Sequence, residues 1–86
     1  MATVEERVKA VTAQILKIDP TQIKSEHNFT VDLGAASVQS IELVAMFEEE
    51  FDIEMEEDAA LAVQTVGGAV TFITKICREQ GIDVEQ

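Results

Sequence analysis

Ser37 closes the segment DLGAAS (residues 32–37), where a glycine and two alanines leave its hydroxyl uncrowded at the start of an apolar-periodic stretch. A hydroxyl at such a loop-to-helix junction is open to another enzyme and can accept a phosphoryl group. The N–H groups of the helix terminus would favour the anion that results. Taken alone, a serine there reads first as a helix cap. The other reactive side chains offer less. His27 is the one imidazole and Cys77 the one thiol, so neither metal-ligand spacing nor a cysteine–histidine pair is expected from them. Glycine loops for phosphates are missing from the sequence, and EEEFDIEMEED (residues 48–58) does not follow the ligand order of a calcium loop. The residues by themselves favour a non-catalytic protein without a metal site.

What must position Ser37 is a small domain. The 86 residues suit a single modest core, and residues 1–86 are read as one domain. One cysteine cannot form an internal disulfide, so apolar packing has to hold the fold, in keeping with a reducing, cytoplasmic location. No apolar run approaches the roughly 18 residues of a membrane span, and no targeting segment is predicted.

Net charge is −11, and it is unevenly spread. The six Lys and Arg stand at Arg7, Lys9, Lys17, Lys24, Lys75 and Arg78, whereas residues 25–74 contain no Lys or Arg but eleven acids. One surface should therefore be strongly anionic. Such a field repels nucleic acid and speeds encounter with basic protein patches. An acidic surface that only confers solubility is the plainer alternative.

Val4, Val8, Val11 and Ile15 recur at helical spacing and draw one apolar stripe along helix one. Thr3 and Glu6 form a capping-box pattern at its start, and Asp19-Pro20 marks its end. Residues 21–36 lack a sustained period and predict a long loop pinned by Ile23, Phe29, Val31 and Leu33, a length that is often functional. Helix two follows from Ser37, read as its cap, to about Phe51. Leu43, Val44, Phe47 and Phe51 lie on its inward side; Val38, Ile41, Ala45 and Met46 share the other side with Glu42, Glu48 and Glu49. That mixture of aliphatic and acidic side chains reads as a docking face, although scattered surface aliphatics are ordinary. A short helix near 56–63 and a last helix capped by Thr65 and stopped at Gly81 complete an all-α bundle of three main helices plus one short one, with a long loop between helices one and two. Residues 82–86 are predicted to fray.

The segment DLGAASVQSIELVAMFEEEFD (residues 32–52), with EERVK (5–9) and TV (65–66) in their places, closely resembles the discrete acyl carrier proteins. That resemblance implies that a phosphopantetheinyl transferase using magnesium attaches 4′-phosphopantetheine from coenzyme A to Ser37. The thiol of the arm then holds acyl intermediates as thioesters and carries them between enzymes of fatty-acid, lipid or polyketide biosynthesis. It further implies that Val38, Ile41, Glu42, Met46, Glu48 and Glu49 meet basic docking patches on acyl-transferring, synthase or condensing enzymes. Phe29, Leu43, Phe47, Val63, Ala69 and Phe72 match positions that line the family's acyl pocket, and a monomer is implied. Each of those six residues could equally be plain core.

The chain also departs from the family pattern. The usual aspartate before the modified serine is Ala36, the usual leucine after it is Val38, and Gln39 replaces an acid. These changes predict a dedicated transferase or an altered partner set. Gly67 and Gly68 replace larger residues and either enlarge the cavity or allow close packing. Two other functions stay open from the residues: an unmodified carrier-like interaction module in which Ser37 only caps, and a carrier of an aminoacyl or peptidyl unit.

Overall fold

The computed structural model describes residues 2–85. Among them are four α-helices, α1 (Val4–Leu16), α2 (Ser37–Phe51), α3 (Glu57–Leu61) and α4 (Val66–Glu79), with one 3-10 turn at Pro20–Gln22. No strand is formed, only two isolated bridges, Thr3 with Glu85 and Asn28 with Thr65.

α1 begins as its sequence dictates. The Thr3 hydroxyl accepts from the Glu6 N–H at 3.1 Å, and Glu6 returns the bond to the Thr3 N–H at 2.9 Å. It ends at Leu16 because Lys17 turns left-handed (φ 58°), three residues before Pro20. Val4, Val8 and Val11 are buried against Leu43, Phe47 and Phe51 of α2 and Ile73, Ile76 and Cys77 of α4. Each fully buried side chain of this size contributes about 1.5–3 kcal/mol. Thr12 is buried too, which the apolar stripe does not predict; its hydroxyl donates to the Val8 carbonyl at 2.8 Å and so carries no unsatisfied polar atom inward.

The long loop is ordered by polar groups as much as by Ile23 and Phe29. The Asn28 side-chain oxygen accepts from the N–H groups of Thr30 and Val31 and from the Thr30 hydroxyl, while Asp32 accepts from the Asn28 N–H at 2.7 Å. These turns bring the chain to Gly34, whose positive φ of 74° a side-chain-bearing residue would adopt only with strain. The loop is tied to the start of α4 by bonds from Phe29 N–H to Gln64 O, from Val66 N–H to His27 O and from Gly67 N–H to Ser25 O. A Cβ on Gly67 would stand 3.1 Å from the Ser25 carbonyl oxygen, so glycine here serves close packing.

Two expectations change. Ser37 is the first residue inside α2; Ala36 occupies the cap position and offers no side-chain cap. Gln39 instead accepts from the Ala36 N–H at 2.9 Å, which is half of a capping box. The segment after Gly81, expected to fray, turns back onto α1. Ile82 N–H donates to Cys77 O at 2.8 Å, Val4 N–H donates to Glu85 O at 2.8 Å, and Ile82 and Val84 pack on the core. A carbonyl from the tail thereby satisfies one of the free N–H groups at the start of α1. Gln86, the last residue of the predicted frayed tail, lies outside the described residues.

Candidate functional site

Ser37 is exposed at the first position of α2, and its hydroxyl makes no hydrogen bond within the described residues. The preceding turn, closed by bonds from Gly34 N–H to Thr30 O and from Ala35 N–H to Phe29 O, seats Ala35 in the core and leaves Ala36 and Ser37 outside it. A hydrogen-bonded loop and a helix therefore meet at one exposed hydroxyl oxygen. The first turn of α2 holds no acid, whereas those of α1 and α3 hold Glu5 with Glu6 and Glu57 with Asp58. The positive end of the α2 dipole is therefore not neutralised by its own side chains, which suits a phosphodiester on Ser37.

One helical turn further, Ser40 stands at the edge of a cavity of about 300 Å³ enclosed by α2, α3, α4 and the long loop. All six residues named as pocket positions, Phe29, Leu43, Phe47, Val63, Ala69 and Phe72, line it. Val44, Met55, Ala60, Leu61 and Ile73 line it as well. Of these, Met55 is the addition that the pattern of residues 48–58 hides, because it sits among eight acids.

The outer side of α2 divides in two. Val38 and Ile41 are 64% and 50% exposed, and Glu42 and Glu49 lie in solvent beside them. Val31, expected to pin the long loop, is instead 82% exposed on it and so is a further exposed aliphatic side chain. Met46, placed on the same face from its spacing, is partly buried and packs on the core. Glu48 is partly buried and accepts a hydrogen bond from the Met55 N–H at 2.8 Å. It is engaged within the chain, which helical spacing does not reveal.

A family model described as the phosphopantetheine attachment site matches residues 6–73. An acyl carrier protein of Caulobacter vibrioides is 48% identical over 75 residues, covering 87% of this chain and 96% of that protein. One from Phenylobacterium zucineum is 49% identical over 73 residues, covering 85% and 92%. With the long loop, Ser37, α2 and α3 inside the matched residues 6–73 and the relatives covering most of the chain, the chain belongs to the acyl carrier protein family.

Proposed function

We propose that this protein carries acyl intermediates as thioesters on a 4′-phosphopantetheine arm attached to Ser37, and moves them between enzymes that it meets through the outer face of α2. The observation that carries this reading is the unbonded, exposed Ser37 hydroxyl at a loop-to-helix junction inside a phosphopantetheine-attachment match. In the attachment, the Ser37 oxygen bonds to phosphorus as the pyrophosphate bond of coenzyme A breaks, and the nucleotide leaves. The carrier supplies position and a favourable dipole; a transferase supplies the base and the magnesium. When attached, the arm provides the thiol that holds the cargo.

Asn28, Thr30, Ser40 and Gln64 also line the neighbouring cavity, but its remaining lining residues, among them Phe29, Leu43, Phe47 and Phe72, are apolar, and they favour a hydrocarbon cargo over an aminoacyl or peptidyl unit. Each sheltered methylene contributes about 0.8 kcal/mol, little enough for the chain to be surrendered to a deeper pocket. Val38, Ile41, Glu42 and Glu49 form the part of the docking face that is free in solution, and basic patches on partner enzymes complement it. Weak ion pairs of this sort suit a carrier that has to release quickly.

Intact mass after incubation with coenzyme A, magnesium and a phosphopantetheinyl transferase tests the reading. One added phosphopantetheine is expected on the protein and none on Ser37→Ala. A protein that stays bare with transferases of broad and narrow specificity, or is labelled elsewhere, would return it to an unmodified interaction module.

A further inference from the structure

The segment between α2 and α3 is held from both sides. From α2, the Glu48 carboxylate accepts the Met55 N–H at 2.8 Å, and the Glu48 carbonyl accepts from Ile53 N–H at 3.1 Å. From α4, the Gln80 amide pairs with the backbone of Glu54, donating to its carbonyl at 2.8 Å and accepting its N–H at 3.1 Å. Ile53 is buried beneath, and Met55 faces the cavity. The two holds differ in kind. Gln80 is neutral, whereas Glu48 is charged, partly open to solvent, and on the helix that presents Glu42 and Glu49.

We propose that Glu48 is a positioning residue that couples docking to cargo release: it keeps Met55 against the cavity until an arginine of the visiting enzyme takes its carboxylate. A bidentate guanidinium fixes both oxygens and the plane of a carboxylate, whereas an ammonium binds as a point charge. An arginine therefore turns Glu48 toward the partner and off the Met55 N–H; a lysine leaves the bond in place. Once free, Met55 moves with its flexible side chain and opens the wall beside Leu61 and Val63. The partner's greater affinity for the released carboxylate is the free energy that shifts the population. This proposal rests on the carrier reading for its cargo, but the hydrogen bond can be tested without cargo.

Amide exchange and the chemical shift of Met55, followed by NMR in the unmodified protein, test the hold. Glu48→Ala is expected to speed Met55 exchange at least about tenfold. Glu48→Gln, which keeps an acceptor oxygen, is expected to stay near wild type, and so is the charge-matched Glu57→Gln. Hexa-arginine added to the wild type should move the Met55 resonance, hexa-lysine at equal concentration should move it much less, and Glu48→Gln should be indifferent to both. Circular dichroism identifies an unfolded Glu48→Ala, in which case the peptide arms on wild type and Glu48→Gln decide alone. Unchanged Met55 exchange in a folded Glu48→Ala sinks the proposal, as does an equal response to the two peptides. On octanoyl-loaded protein, hexa-arginine should speed hydroxylamine cleavage of the thioester; an unaltered rate would remove the coupling to cargo. Failure to load at all would refute the carrier reading while leaving the Met55 measurements intact.

Discussion

Arg7 places its guanidinium 4.2 Å from the centroid of the Phe51 ring and donates from the same fork to Glu50, through Nε to the carboxylate at 2.8 Å and through Nη2 to the backbone carbonyl at 2.7 Å. One side chain of α1 thus closes the C-terminal end of α2 by stacking, by charge and by satisfying a helix-end carbonyl. Because both partners are partly exposed, the ion pair itself is screened. Arg7→Ala should cost about 1–3 kcal/mol in urea denaturation, and Arg7→Lys should recover less than half, since lysine cannot reproduce the fork. Glu50→Gln, which keeps the carbonyl and the stack, should cost under about 1 kcal/mol.

How much of this was legible in the sequence depends on the range of the interaction. The α1 stripe, the Thr3–Glu6 box and the Thr65 cap are relations over three or four residues, and each is found as predicted. The cap of α2 is not legible in the sequence, because serine is common both at the cap and just after it; only the backbone distinguishes the two positions, and it gives the cap to Ala36. The pocket positions came through a resemblance, not from periodicity, which could not separate lining from core. Glu48 with Met55, Gln80 with Glu54 and Arg7 with Phe51 bridge different elements, and side-chain spacing along one helix carries no trace of them. The Asn28 turns leave a local signal in Asn-x-Thr-x-Asp, a spacing suited to side-chain-to-backbone bonds, which apolar periodicity does not register.

The capping box gives stability a defined pH dependence. Glu6 lies below its usual carboxylate range, chiefly because it accepts the Thr3 backbone N–H and then through the Thr3 side chain. Asp19 is lowered likewise by the Thr21 hydroxyl and the Thr21 N–H. A carboxylate whose folded pKa is depressed stabilises above its unfolded value, and that contribution is lost as pH falls through the folded one. Thermal melts of the wild type should therefore lose stability from about pH 5 downward, and Glu6→Gln should show a shallower decline over the same window. Equal slopes would remove the box as a source of the dependence.

Cys77 is fully buried, and burial raises its thiol above the ordinary value against a smaller lowering influence from Arg7. The thiolate is the reactive form, so the folded, unmodified protein should react with a disulfide reagent at least about a hundredfold more slowly than a free thiol at pH 8. Denaturant should restore the rate. After loading with phosphopantetheine, one thiol per chain should react quickly in the native state, and comparing it with the protected Cys77 gives a count of the arm. Rapid reaction of native Cys77 would mean that the α1–α4 interface opens far more often than its packing implies.

Ala69 is one of two alanines lining the cavity, and it is buried. Ala69→Leu projects three further carbons into that space, so it should displace a similar number of cargo methylenes at about 0.8 kcal/mol each. Hydroxylamine should then cleave an octanoyl thioester on the variant several-fold faster than on the wild type, while a butyryl thioester should show little change. Faster cleavage of both alike would mean that the substitution has loosened the bundle rather than filled the chamber, a possibility that urea denaturation checks directly.

Charge on the outer face of α2 should govern encounter and leave folding alone, provided the substituted acids have no intramolecular partner. Glu42 and Glu49 meet that condition: both are exposed and neither side chain accepts a hydrogen bond within the described residues. Glu48 does not, because its loss frees the Met55 N–H. Glu42→Lys with Glu49→Lys should therefore slow acyl transfer to a basic partner enzyme at least about tenfold at low salt, with an unchanged circular dichroism spectrum and melting temperature. Raising ionic strength from about 0.05 to 0.5 M should slow the wild type toward the variant, since exposed charges separated by more than a Debye length are screened. If transfer proved indifferent to salt and as fast in the double variant, the exposed Val38 and Ile41 would have to account for docking without the acids beside them.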